Sequence, residues 1–214
     1  MRLDTLAFLP LAIPNPPKFI EYWDTISYDD IITDNYRSCY HIPIYVVGEG
    51  YTEFAKNTPE LIGWINEYIF SFTGPTRIMI ITTPPNSINP IHIDCSPKKF
   101  KILQHKIRYV FQGLVSSLEF ITETNTIKPH DKDCCFVMDG SWPHSMHNDN
   151  NLRKYTLAIG APWEPSYDDK KYYDLLHQSY ELYSDDYIEI NKSELPVNYK
   201  DFFESKYKTD LQQL

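Results

Sequence analysis

Residues 76–163 predict a mainly β fold, a sandwich or barrel with helices at its flanks. Three observations carry this. Short β-branched and aromatic runs recur there at intervals of roughly 10–15 residues, with turn residues between them. Before them, residues 58–72 hold an apolar stripe at helical spacing. After them, Pro162 and Pro165 end the strand pattern and the chain becomes acidic and tyrosine-rich. The chain of 214 residues is expected to be one domain. Its core would span 76–163, with an α/β flank at 1–75 and a helical flank at 164–214.

The elements follow in order. Leu6 to Leu11 reads as a strand, and Asn15-Pro16-Pro17 can open a helix running to Trp23. Ile42 to Val47 reads as a strand stopped by Gly48-Glu49-Gly50. Thr58 suits an N-cap and Pro59 a first helical turn. Leu61, Ile62, Ile65, Tyr68, Ile69 and Phe72 then line one face, and Gly74-Pro75 closes the helix. The strand series comprises Arg77 to Thr82, His92 to Asp94, Lys106 to Gln112, Ser117 to Thr122, Asp133 to Met138, His144 to Asn148 and Tyr155 to Ala161. Ser96 to Lys101 is expected to be a loop. A last helix starts at Asp168 or Asp169 and runs to Tyr183, with Tyr172, Leu175, Leu176, Tyr180 and Tyr183 on one stripe. It is expected to pack on the outside of the β core; the alternative is a lid over the site.

Composition narrows the function. A hydrophobic share of 42% is that of a globular protein, not a disordered one. The net charge of −9 argues against duplex nucleic acid as partner, which would need a basic surface. Cys39, Cys95, Cys134 and Cys135 form no Cys-x-x-Cys pair and suggest no disulfide framework, so a reducing cytosol is the expected location. Asp4 interrupts the apolar start, a poor signal peptide, and no membrane partner is expected.

Two stretches carry chemistry. Asn89-Pro90-Ile91-His92-Ile93-Asp94 contains a His-x-Asp pair, and residues i and i+2 of an extended segment point the same way. Pro84, Pro85 and Pro90 are expected to break the chain before His92 and to leave the pair at a strand edge. Asp139-Gly140-Ser141-Trp142-Pro143-His144-Ser145-Met146-His147-Asn148 brings a further histidine. Two imidazoles and a carboxylate on one face of an octahedron suit Fe(II), leaving the other face open. His144 and His147 lie an odd number of residues apart, so a regular strand sends them to opposite faces. His144 would share its face with Met146 and Asn148, and His147 with Ser145. A lone His-x-Asp triplet is common; its company here raises its weight.

These residues resemble those of the 2-oxoglutarate and Fe(II)-dependent dioxygenases, most of all the aspartyl/asparaginyl β-hydroxylase-like branch. That pattern runs from a first His to an Arg on the next strand, then Asp-x-Ser-x-x-His-x-x-x-Asn, then a final Arg. The chain supplies His92, Arg108, the run from Asp139 to Asn148, and Arg153, over about residues 76–163. Some relatives carry a His two residues after the first Arg, where this chain has Val110. Asp94 supplies a carboxylate that certain members of that branch lack. The resemblance implies a double-stranded β-helix, a jelly-roll or cupin-like barrel. It implies Fe(II) on His92, Asp94 and His144, with 2-oxoglutarate and O2 as cosubstrates and no catalytic residue beyond the ligands. Arg153 is the first expectation for the distal carboxylate of 2-oxoglutarate and Arg108 the second, because a guanidinium matches a carboxylate and stays charged. Ser141 and Asn148 are expected either to support this site or to serve as turn and strand-end residues. The implied reaction hydroxylates an unactivated C–H of an amino-acid residue, peptide or small metabolite. The alternative is a cupin-like barrel that binds a metal or small molecule without oxygenase activity. Oligomeric state is left open.

Overall fold

The computed structural model describes residues 2–27, 31–34, 39–94, 105–160, 169–199 and 201–202. The expected loop from Ser96 to Lys101 and the start of the last helix at Asp168 lie outside them. In chain order the elements are β1 (Leu6–Pro10), α1 (Ile20–Trp23), β2 (Ile32–Asp34), β3 (Cys39–Val46), β4 (Gly50–Tyr51), α2 (Glu53–Lys56) and α3 (Pro59–Trp64). A π-helical turn, Ile65–Ile69, leads into α4 (Phe70–Thr73). Then come β5 (Ile78–Thr83), β6 (Ser87–His92), β7 (His105–Gln112), β8 (Leu118–Ile121), β9 (Thr126–Ile127) and β10 (Phe136–Asp139). β11 (His144–Asn148), β12 (Lys154–Ile159), α5 (Asp169–Leu182) and β13 (Ile188–Glu189) complete the described chain.

Two antiparallel sheets result. The larger runs β13-β1-β10-β7-β12-β5-β3-β2, with β4 on β3; the smaller runs β6-β11-β8-β9. From β5 to β12 the chain passes back and forth between them, and β10-β7-β12-β5 face β6-β11-β8-β9. That interleaving is the double-stranded β-helix. The expected barrel takes an open form: no strand pair among the described residues joins the two sheets, so they do not close.

Strand alternation divides the large sheet into two faces. Ile107, Tyr109 and Phe111 of β7, Tyr155, Leu157 and Ile159 of β12, and Ile78 and Ile80 of β5 point outward. They pack against Leu61, Trp64, Ile65, Ile69 and Phe72 of the helical stretch and Tyr172 and Leu176 of α5. Val110, Phe136 and Met138 point inward and meet Leu118 and Phe120 of the small sheet. Helix α5 is therefore an outer-face element. Among the described residues no helix is long and apolar enough to cross a membrane.

Several local expectations need correction. The helix from Asn15 shrinks to α1, because Pro16 and Pro17 bias the residues before them toward extended backbone. Thr58 stands at the N-cap, yet its hydroxyl donates back to the Ala55 carbonyl at 3.0 Å and caps nothing ahead. The predicted helix contains the π turn, which keeps Ile65 and Ile69 both buried, and Gly74 closes it at φ +63°. Asp94 is not in a strand: β6 ends at His92 and Asp94 follows in a bend. Pro90 lies inside β6 and does not break it. It is tolerated because β6 is an edge strand and bulged there, three of its steps facing two of β11 between the pairs His144–His92 and Met146–Asn89.

Candidate metal centre

His92 ends β6 and His144 begins β11, and the two are direct partners in the ladder. Their rings sit 4.3 Å apart, centroid to centroid. Each ring is fixed by its own strand entry. His92 Nδ1 donates to the Pro90 carbonyl at 2.7 Å, and His144 Nδ1 donates to the Trp142 carbonyl at 2.8 Å. A carbonyl can only accept, so the proton of each neutral ring sits on Nδ1 and the Nε2 lone pair is left for a ligand bond. Both Nε2 atoms turn toward Asp94. They lie 3.6 Å from its Oδ1 (His92) and 3.8 Å from its Oδ2 (His144). One donor atom from each residue fits within a 4.8 Å cluster.

Asp94 is held by the turn before β11. Its N–H donates to the Gly140 carbonyl at 2.7 Å. A Cβ placed on Gly140 would come within 2.9 Å of Asp94 Cβ, so only glycine lets the turn approach this closely. Asp139 shapes the turn: its Oδ1 accepts from the Ser141 N–H at 2.8 Å and the Ser141 hydroxyl at 2.7 Å. Ser141 is thus a turn residue in this geometry. Asn148 is a strand-end staple whose amide donates to the carbonyls of Thr83, Pro84 and Leu152.

The three side chains open on a narrow cavity of about 30 Å³ between the sheets. Arg108 lines it from the inward face of β7, and Asn89 from β6. Met138, Met146, Ile81 and Thr156 form its walls. Larger concavities lie elsewhere, and none of His92, Asp94, His144 and Arg108 lines them. Arg153 does not line this cavity. It immediately precedes β12 and offers its carbonyl to Gln112 Nε2 at 2.7 Å. Its neighbour Lys154 has the inward parity of Thr156. Lys154 is buried, its ammonium bonded to the Leu114 carbonyl and the Ser117 hydroxyl, and burial lowers its pKa to about 7. His147 lies on the opposite face from His144, bonded with Ser145 to Glu119.

Residue types alone did not single out Lys106, Lys154 or Asn89. Lys106 reaches Asp94 Oδ2 at 2.7 Å, its side chain 8% exposed. Parity could have found both lysines, since each alternates with apolar residues of the outer core. Asn89 shows only in three dimensions. Its Oδ1 is buried and finds no hydrogen-bond partner among the described residues, an arrangement that costs about 1–3 kcal/mol unless a bound molecule or water donates to it. Orphaned acceptor, fixed imidazole tautomers and buried carboxylate together fit an ion with open coordination positions.

No protein-family model matches the chain, and no curated protein matches it. Solved structures resemble it remotely. A prolyl hydroxylase from Trichoplax adhaerens, in complex with a hypoxia inducible factor oxygen degradation domain peptide fragment, is 15% identical with a TM-score of 0.45, covering 79% of this chain and 87% of that one. A Pseudomonas putida prolyl-4-hydroxylase is 14% identical with a TM-score of 0.39, covering 61% and 76%. A 2OG-Fe(II) oxygenase family oxidoreductase from Burkholderia pseudomallei is 12% identical with a TM-score of 0.39, covering 62% and 72%. What the site means is therefore argued from its own donor atoms.

Proposed function

We propose that the chain is an Fe(II)- and 2-oxoglutarate-dependent oxygenase that hydroxylates an unactivated C–H, of an amino-acid residue, peptide or small metabolite. The observation that carries this is the buried His92, Asp94 and His144 cluster, with both Nδ1 protons pinned and both Nε2 atoms aimed at one carboxylate. Two imidazoles and a carboxylate with open positions are the donor set of non-haem Fe(II) oxygenases. Bound there with 2-oxoglutarate and O2, the iron supplies an oxidant strong enough for such a bond, with succinate and CO2 as coproducts.

The chain's own residues do the rest. His92, Asp94 and His144 hold the ion. Arg108 pairs with the distal carboxylate of 2-oxoglutarate, because it shares the cavity with the ligands and Arg153 does not. Lys154 lies on the same inward face of the large sheet but outside the cavity, tied to the Leu114 carbonyl and the Ser117 hydroxyl. Asn89 Oδ1 would accept a hydrogen bond from a substrate N–H or O–H. It cannot serve 2-oxoglutarate itself, whose oxygens in the dianion only accept. Ile81 and the two methionines keep bulk water out.

One observation favours the second reading, a metal-binding barrel without oxygenase activity. The cavity, at about 30 Å³, holds an ion and a few waters as it stands. Met138 and Met146 must turn aside to admit 2-oxoglutarate, and the unbranched thioether is the side chain best able to do so. The test is Fe(II)-dependent formation of succinate from 2-oxoglutarate, screened against peptides, amino acids and small metabolites. Arg108→Ala is expected to raise the KM for 2-oxoglutarate at least tenfold, with Arg153→Ala near wild type. Metal binding with no succinate under any condition would favour the second reading.

A further inference from the structure

We propose that Lys106 is a positioning residue of the metal centre: a built-in counter-ion that holds Asp94 in place and limits how tightly the site binds a divalent cation. This rests on the metal reading above and deepens it.

An ammonium is costly to bury, and Lys106 is 7% exposed. It sits on the inward face of β7, opposite Met138 in the ladder and two residues from Arg108. Its Nζ lies 2.7 Å from Asp94 Oδ2. Gly140 wedges the pair, since a Cβ there would lie 3.2 Å from Asp94 Oδ2 and 3.4 Å from Lys106 Cε. The same Oδ2 is 3.8 Å from His144 Nε2, while Oδ1 is 3.6 Å from His92 Nε2. Ammonium and metal ion would therefore share one carboxylate.

Two consequences follow from charge. First, Lys106 gives Asp94 a partner of its own, so the carboxylate can be buried between the two imidazoles without depending on an ion. Second, Asp94 and Lys106 sum to zero, so two neutral imidazoles and a compensated carboxylate meet an incoming cation. Without Lys106 the same three donors would present a full negative charge in a poorly solvated place, where charge interactions are strong.

The two consequences make opposite demands on a variant. Lys106→Gln keeps the length of the stem and removes the charge. It should lower the thermal stability of the protein without metal, because Asp94 loses its partner, and saturating Mn(II) should restore much of the loss. It should also bind Mn(II) more tightly, by about tenfold in Kd, read by calorimetric titration. Lys106→Arg keeps the charge and should bind Mn(II) as wild type does. A residue that merely filled space would give the reverse sign, weaker binding on removal. A Lys106→Gln protein that folds and binds Mn(II) equally or less tightly overturns the proposal. A Lys106→Gln protein unfolded without Mn(II) but folded with it supports it, and one unfolded in both overturns it. If the wild type binds no Mn(II), the metal-centre reading itself falls.

Discussion

At the scale of single residues the site turns on parity. His144 and His147 share one strand, and β11 sends them to opposite faces: one to Asp94, the other to Glu119. His144→Ala should therefore leave the protein without bound Fe(II) or Mn(II), whereas His147→Ala should keep it; metal content of the two purified variants decides. Lys154 makes a different prediction. Its pKa falls from the ordinary 10.5 to about 7, through desolvation. Between those two values the unfolded chain carries a proton that the folded chain has shed, so stability rises with pH across that window. Outside it, this group contributes no slope. Urea unfolding at pH 7 and about 9.5 should show wild type gaining stability relative to Lys154→Met, whose own slope lacks this contribution. Arg153 drew attention as a guanidinium ten residues or so after the second histidine run, but it stands just before β12 and does not line the cavity, whereas Arg108, within β7, does.

At the scale of elements, the strands of the core were legible and their companions were not. The runs that became β5, β7, β8, β10 and β12 announce themselves by β-branched and aromatic residues, while β11, His-Ser-Met-His-Asn, stands out only by its position between Pro143 and the Asp149-Asn150-Asn151 turn. β2, β4, β9 and β13 have two or three residues each, too few for a period to appear, and exist because a neighbour offers them a ladder. β6 was half missed, since its proline argues against a strand until the bulge is known. The C-terminal helix was placed well from its tyrosine and leucine stripe. Its docking has a polar pin: the Tyr172 hydroxyl lies 3.0 Å from His105 Nδ1 at the start of β7. His105 is fully buried, and desolvation pulls its pKa down, so it stays neutral. Tyr172→Phe should cost roughly 1–2 kcal/mol in chemical unfolding, the price of leaving both ring nitrogens of His105 unmet. The same variant should leave the KM for 2-oxoglutarate unchanged, since α5 packs on the face away from the cavity; a large change would make it a lid after all.

At the scale of the whole molecule, the sheet order could be anticipated only through resemblance, because nothing in a single strand's composition names its partner. The cluster of His92, Asp94 and His144 was readable from residue types and spacing; the cations around it needed the register of both sheets. All three candidate metal ligands come from β6, β11 and the bend between β6 and β7, which belong to the small sheet's side. Arg108 projects from the large sheet. A dicarboxylate held by the ion at one end and by Arg108 at the other would be a strut between two layers that share no ladder among the described residues. The gap between them is then a measuring gauge: too short a diacid leaves one end loose, too long a one forces the layers apart. Amide hydrogen exchange in β6 should slow far more with Mn(II) and 2-oxoglutarate together than the sum of their separate effects. Oxalate, which can chelate the ion but spans nothing, should not reproduce that gain.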